Sequence, residues 1–316
     1  MLLGGSGFFG KSFLDMFQRG ELAPWGIGKV IVVARHASSL TRTHPALTGA
    51  AVQLVDLDVS SCASLPQADL IIHAASSTDA RRYVTHAAEE RANILASLEN
   101  FNRIARKALS GARILYTSSG AVYGQQPTSV SHIDETYAAG AVEDMVAYKR
   151  DYAEAKRAVE QQLAGLGNDG IKVTVARCFA FVGVHLPRDQ HFAIGNFLGD
   201  GLASRPITVQ ANHLVYRSYM DADDLVRWLM AMVVAADESC PVYNVGSDES
   251  ISVQQAAQTV ARLFGTTAHI PPLTSEVVDR YVPSVAKARH QLGLECSVTL
   301  EQSLRGIIAR LGGATC

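Results

Sequence analysis

The sequence predicts an α/β fold, a doubly wound parallel sheet with a smaller lobe built from the C-terminal part of the chain. Three observations predict it. A short N-terminal strand runs through a glycine-rich turn into a helix; short apolar strands then alternate with helical segments; and polar residues suited to chemistry fall at the carboxyl ends of those strands. Alternation at this spacing fits parallel strands, whose crossovers must run back along the sheet. Strands covered on both faces read as unbroken apolar runs. Ligands of such sheets bind at the carboxyl ends.

Residues 1–3 read as the tail of a buried strand, short for a parallel sheet. Gly4, Gly5, Ser6, Gly7, Phe8, Phe9 and Gly10 follow, then an amphipathic helix through Phe17. Glycines at 4, 7 and 10 allow a tight turn and a close backbone approach, so a pyrophosphate can rest on the N–H groups and positive dipole end of that helix. Residues 29–34, KVIVVA, form the second strand. At its end an NAD site usually carries an acidic residue on the ribose hydroxyls, whereas this chain has Arg35 and then His36. A cation there favours the 2′-phosphate of NADP; the alternatives are that Arg35 stacks on adenine or points to solvent. Residues 52–55 form a third strand ending at Asp56 and Leu57, placed for the adenine edge. Residues 69–73 form a fourth and lead into Ala74 and Ala75, small enough for a ribose to lie against the backbone. A helix over about 85–109 carries Asn93, strand 113–117 delivers Ser118 and Ser119, and 173–177 is a sixth strand.

Between the last two strands lies YKRDYAEAK, at the start of a helix over about 148–165. Positions i and i+4 share a helix face, so Tyr152 and Lys156 can point into one site. A free phenol has a pKa of about 10 and needs a neighbouring cation to act as a base near neutrality. Lys156 is that cation, and the Ser119 hydroxyl can address the same substrate oxygen as the phenol. Such a set moves one proton while a nicotinamide takes or gives one hydride. By itself the Tyr/Lys spacing is common on solvated helical turns; its place among strand ends gives it weight.

After Arg177 the chain becomes irregular, with Pro187 and Pro206, basic residues among aromatics, and His185 and His191 placed to touch a ligand or face water. Arg217 precedes a helix whose first turn carries Asp221, Asp223 and Asp224, an acidic start suited to capping rather than to metal binding. A short strand ends at 244–246, residues 253–264 and 300–311 read as helices, and Arg280, Tyr281 and Pro283 open the last segment. The expected division is 1–178 for dinucleotide binding and 179–316 for a substrate lobe, with some segments returning to the first unit.

The 28 basic and 30 acidic residues give a net charge of −2, so no nucleic-acid or membrane surface partner is indicated. No apolar run approaches a membrane span, and the N-terminal apolar stretch lacks a basic flank and is broken by glycines. A cytoplasmic protein is expected. Cys62, Cys178, Cys240, Cys296 and Cys316 have neither zinc nor redox spacing and read as free thiols. His73 reads as a hydrogen-bonded interior histidine, and no metal site is expected.

Taken together, GGSGFFG, the Asp56–Leu57 pair, HAAS, Asn93, SSGAVYG, the Tyr152/Lys156 pair and RSYMDADDLV resemble the extended short-chain dehydrogenase/reductase family, in its nucleotide-sugar epimerase/dehydratase branch. The resemblance runs from Gly4 to about Leu311. It implies a Rossmann-type domain holding NAD or NADP, with NADP slightly favoured by Arg35, and a C-terminal lobe for a nucleotide-sugar. It also implies a homodimer that pairs the helices around 85–109 and 148–165 into a four-helix bundle. Tyr152 takes the place of the catalytic acid/base. Lys156 takes that of the residue lowering its pKa and holding the nicotinamide ribose, and Ser119 that of the hydroxyl polarising the sugar oxygen. Gly4, Gly7, Phe8, Phe9, Gly10, Asp56, Leu57, Ala74, Ala75 and Asn93 fall at cofactor positions, Arg217 at a diphosphate position and Asn196 in the substrate region.

Two departures matter. Ala180 stands where the family often has an asparagine after the sixth strand, removing amide hydrogen bonds to substrate. Gly120 and Ala121 stand where 4,6-dehydratases carry Asp-Glu, and decarboxylating relatives tend to keep the glutamate. Neither residue has a proton to exchange, so dehydration is not expected. Hydride chemistry at one sugar carbon, C4, remains, in a 4-epimerase or a 4-ketoreductase. Fold alone leaves open a non-catalytic cofactor-binding or regulatory protein.

Overall fold

The apolar runs become one parallel sheet. A computed structural model describes residues 1–76, 80–140 and 145–312. In it β1 (Leu2–Leu3), β2 (Val30–Ala34), β3 (Val52–Asp56), β4 (Leu70–His73), β5 (Arg113–Ser119) and β6 (Lys172–Cys178) lie in the order β3-β2-β1-β4-β5-β6, all parallel. The strand Val242–Val245 adds a seventh, parallel to β6. This is the Rossmann-type order. Its direction reverses at β1, which pairs with both β2 and β4, and ligands of doubly wound sheets bind at that switch point.

The crossovers are α1 (Phe8–Gln18), the short α2 (Leu40–Thr43), α3 (Ala80–Ala108) and α4 (Ala147–Ala164), followed by α5 (Ala193–Leu202), α6 (Ala222–Val234) and α7 (Val253–Phe264). Helix α3 is broken at His86, whose φ of −140° and ψ of 40° are not helical. On α3, Ile94, Leu98 and Phe101 recur at helical spacing and bury against Ile71 and Ile114 of the sheet and Val159 and Leu163 of α4. Each such side chain stabilises by about 1.5–3 kcal/mol. The other face is covered by α1 and α6, whose Phe13, Leu14, Leu225 and Trp228 pack with Val32 and Ile72.

The chain beyond residue 178 does not stay apart from the first unit, because α6 and Val242–Val245 join the main sheet. What remains forms a lobe of its own. Strands Ile251–Ser252, Leu214–Arg217 and Val278–Tyr281 make a small sheet, and Phe197, Leu198, Val215, Val260 and Leu304 make its core. Helix α7 is fixed by a capping box in which Ser252 and Gln255 satisfy each other's backbone N–H groups. Asp221 caps α6, its carboxylate accepting from Asp223 N at 2.8 Å. Buried Asp224 instead accepts from the N–H groups of Ser297 and Val298.

Among the described residues no helix is long and apolar enough to cross a membrane. Nor does any group of three or more His, Cys, Asp or Glu side chains there hold a metal-binding arrangement. Cys62, Cys178, Cys240 and Cys296 are free, and Cys316 lies outside the described residues.

Candidate active site

The glycine turn is built against the switch point. Gly4 has φ +77°, and a Cβ there would lie 2.4 Å from the carbonyl oxygen of Ala74. A Cβ on Gly10 would lie 2.2 Å from the carbonyl oxygen of Gly5. Neither position admits a side chain, so the turn and the Ala74–Ala75 backbone come together at the carboxyl edge of β1 and β4. Gly7 caps α1 without a side-chain hydrogen bond, which leaves the first N–H groups of the helix free for an anion. This cradle fits a dinucleotide pyrophosphate. The Phe8 and Phe9 rings pack edge to face on each other at 5.6 Å, with Phe9 5.3 Å from Phe181.

Farther out, the Asp56 carboxylate accepts from Ser38 N at 2.8 Å and Ser38 Oγ at 2.5 Å, and these bonds lower its pKa. Leu57 donates its N–H to the Ala34 carbonyl. Arg35 is exposed at the end of β2 and acts electrostatically on Asp58, whose pKa is lowered first by Ser60 and also by that guanidinium. Asn93 is exposed on α3.

Ser119, Tyr152 and Lys156 do come together. Lys156 is 1% exposed, and its Nζ donates to Tyr116 Oη at 2.9 Å, the Thr117 carbonyl at 3.0 Å and Ser76 Oγ at 3.2 Å. It lies 5.7 Å from the centre of the Tyr152 ring. Burial opposes its charge, but Tyr116 and Tyr152 outweigh burial and its pKa ends raised. For Tyr152 the balance differs from expectation. Burial raises the phenol's pKa more than Lys156 and the hydrogen bond with Ser119 lower it, so the net shift is upward. Lys156 pulls in the expected direction but is outweighed, and Tyr152 is protonated at neutral pH.

Two aromatic residues complete this cluster. The Tyr281 hydroxyl, from the last strand, lies 3.3 Å from Ser119 Oγ, and its ring is 4.6 Å from that of Phe179. Together they fill the space above Gly120, where a Cβ would lie 2.7 Å from the Phe179 ring and 2.8 Å from the Tyr281 hydroxyl. An acidic side chain at position 120 therefore has no room. Sequence reasoning placed neither Tyr281, Phe179 nor Tyr116 here. Tyr116, a phenol inside the apolar strand RILYT, carried the one local signal.

Beneath the cluster a partly buried pair ties α4 to β6. Arg177 donates to Glu160 Oε2 from Nη2 at 2.7 Å and Nε at 3.1 Å, and Ser118 also donates to Glu160. The Arg177 guanidinium lies over the Tyr123 ring, whose hydroxyl donates to Asn244 Oδ1 at 2.7 Å. His73 is buried as expected but not hydrogen-bonded: both ring nitrogens lack a partner, and its ring packs at 4.8 Å on Phe101 and 5.1 Å on Tyr116. Burial lowers its pKa to about 3, so it stays neutral.

In the C-terminal lobe Arg217 is held by Asp279 at 2.7 Å and by the Tyr216 carbonyl at 2.8 Å. Asn196 donates to the Gln190 carbonyl at 2.8 Å, but its Oδ1 is buried and unpartnered, as are Gln190 Oε1, Arg188 Nε and His185 Nε2. His191 packs on Phe192 at 4.1 Å.

Fold and site together define a dinucleotide-binding protein with a serine, tyrosine and lysine set at the carboxyl ends of a parallel sheet. The model of the NAD dependent epimerase/dehydratase family matches residues 1–246, and the chain belongs to that family. It is 28% identical over 77% of its length to UDP-glucuronic acid decarboxylase 1 of Danio rerio, of which it covers 57%. It is 24% identical to UDP-N-acetyl-alpha-D-glucosaminuronate decarboxylase of Bacillus cytotoxicus, over 98% of this chain and 96% of that one. The chain thus spans a little over half the length of the Danio relative and nearly all of the Bacillus one. Its fold matches the NAD complex of Thermus thermophilus UDP-glucose 4-epimerase with a TM-score of 0.77 and 20% identity, over 99% of both chains.

Proposed function

We propose that this protein transfers a hydride at one ring carbon of a nucleotide-linked sugar, C4, as a 4-epimerase or a 4-ketoreductase. The observation that carries this reading is the Ser119, Tyr152 and Lys156 set, with Ser119 and Lys156 buried, beside a helix N-terminus that no side chain caps. A bound nicotinamide supplies or accepts the hydride. The chain's own residues handle the proton: Tyr152 gives it to, or takes it from, the sugar oxygen, while Ser119 hydrogen-bonds that oxygen and Lys156 supports the phenolate. Lys156 already donates to three acceptors, so a ribose hydroxyl would replace one of them, with Ser76 the nearest to the switch point.

The other cofactor positions are Gly4, Gly7, Gly10 and the Phe8–Phe9 backbone for the pyrophosphate, Ala74 and Ala75 for a ribose, and Asp56 and Leu57 for adenine. Arg35, exposed where an NAD site has an acid, leaves room for NADP, and a protonated Tyr152 suits reduction of a keto sugar. The unpartnered polar atoms of Asn196, Gln190 and Arg188 supply donors and acceptors for the sugar-nucleotide. Arg217 would exchange Asp279 for a phosphate.

Relatives named as decarboxylases raise a second chemistry. Against it stand Gly120, closed over by Phe179 and Tyr281, and Ala121, neither of which exchanges a proton. A homodimer forms in this reading through α3 and α4, where Ala88, Ala92 and Ala96 make an exposed stripe of small residues on α3. Sedimentation velocity separates monomer from dimer.

The deciding experiment is to denature the purified protein, identify any released nicotinamide nucleotide, and titrate the emptied protein with NAD⁺ and NADPH. Retained stoichiometric NAD is the result expected of an epimerase, which recycles its hydride. An empty protein preferring NADPH is expected of a ketoreductase. A protein that neither retains nor binds either nucleotide would sink both.

A further inference from the structure

One lysine holds three acceptors, and they are not alike. Lys156 Nζ donates to Tyr116 Oη at 2.9 Å, to the Thr117 carbonyl at 3.0 Å and to Ser76 Oγ at 3.2 Å. An ammonium has three N–H bonds, so all of them are used. The two shorter bonds go to adjacent residues of β5 that are 2% and 7% exposed, whereas Ser76 is half-buried just beyond the carboxyl end of β4. We infer that Tyr116 is a positioning residue of the active site: its phenol oxygen, with the Thr117 carbonyl, anchors the Lys156 ammonium to β5 and leaves the N–H on Ser76 as the one that a ligand hydroxyl takes. This rests on the reading of Lys156 as the residue that supports Tyr152 and a ribose.

Packing alone does not call for a phenol at this position. Tyr116 stands between its register partners His73 of β4 and Val175 of β6, in an apolar layer with Ile71 and Ile114. Phenylalanine or an aliphatic residue would fill that layer, and a buried hydroxyl there costs free energy unless it is hydrogen-bonded. The bond it has is the one from Lys156. Lysine in turn carries its charge on a flexible four-carbon stem, so burial at 1% exposure does not by itself fix where the charge lies.

The ammonium lies 4.6 Å from the centre of the Tyr116 ring and 5.7 Å from that of Tyr152. It bonds to Tyr116 and acts on Tyr152 as a nearby charge, an effect that changes with distance. Holding it on β5 therefore sets how strongly it acts on the phenol. Burial lowers the pKa of Lys156, and the two phenols more than offset it, so the lysine stays charged where it is held. Tyr116→Phe deletes the hydroxyl and keeps the ring that packs at 5.1 Å on His73. Ser76→Ala deletes the third acceptor and leaves both bonds on β5. The two variants separate the anchor from the exchangeable contact.

The test is NMR relaxation of the whole protein labelled with ¹³C at the lysine ε carbon, which gives an order parameter for the end of each lysine. The Lys156 signal is the one missing in Lys156→Arg, which keeps a buried cation. In wild type and in Ser76→Ala it is expected to be as rigid as ordered backbone, about 0.85, and in Tyr116→Phe to fall below about 0.6. Backbone order in β5 and α4, measured on the same proteins, is expected to be equal in all three. A mobile Lys156 in wild type, or an equally rigid one in Tyr116→Phe, overturns the proposal. So does an equal loss in Ser76→Ala, or a loss that the backbone of β5 and α4 shares. No nucleotide or sugar is present, so absence of turnover would count against Tyr152 and Lys156 as the catalytic pair and not against this anchor.

Discussion

Gly120 shows how one missing side chain shapes the site. Its neighbours are two aromatic rings rather than backbone, and both are held: Phe179 is 9% exposed and Tyr281 is hydrogen-bonded to Ser119 and Cys178. Contacts of 2.7 and 2.8 Å are too short for any Cβ, so the rings must move to admit one. Gly120→Ala is expected to destabilise by about 1–3 kcal/mol through overpacking, read from the denaturant midpoint. No loss of stability would mean that the rings give way freely. Tyr152 raises a different balance. Its phenol stays protonated because burial outweighs the lysine beside it.

At the scale of elements, α4 is fixed to the sheet by charge as well as by packing. The side chains of Arg177 and Glu160 are 17% and 11% exposed, and the bond between them is two-pronged. Removing one partner of a largely buried pair leaves the other charge poorly compensated, so Glu160→Ala is expected to cost about 2–3 kcal/mol, below the cost for a fully buried pair. Asp169→Ala, which breaks the exposed Arg106–Asp169 pair, is expected to cost less than about 1 kcal/mol. Equal costs would show that the Arg177–Glu160 pair has no special part in holding α4. The elements themselves were mostly legible in the sequence. Apolar runs of parallel strands and the i, i+4 spacing of Tyr152 and Lys156 are local patterns, and the structure places them as read. What escaped is non-local. Tyr281 meets Ser119 across 162 residues, and although some segments were expected to return to the first unit, the sequence does not mark Val242–Val245 as the one that pairs with β6. No periodicity in either segment records its partner. The bonds of Asp56 to Ser38 and of Arg217 to Asp279 escaped for the same reason.

At the scale of the whole molecule, burial keeps His73 and His185 neutral in the folded chain. Burial lowers His73 to about 3 and His185 to about 4, against an unfolded value of 6.5. The unfolded chain then binds more protons than the folded one below about pH 6.5. The contribution of these residues is therefore complete above that pH and is lost as pH falls toward 4 and 3. Stability is expected to drop on acidification by up to about 1.4 kcal/mol per pH unit for each histidine, and His73→Phe is expected to flatten that slope. An identical slope in the variant would show that His73 is not the buried, neutral group described.

The central claim is that Tyr152, set by Ser119 and Lys156, moves the proton in a hydride transfer on a nucleotide-sugar. The measurement that tests it most directly compares wild type and Tyr152→Phe on a panel of nucleotide sugars and their 4-keto forms, with NAD⁺ and with NADPH, alongside nucleotide binding. The account predicts turnover by the wild type on at least one sugar, a loss of about 10²-fold or more in the variant, and nearly unchanged nucleotide binding. Equal turnover by the two proteins, or none by the wild type on any sugar, would contradict it.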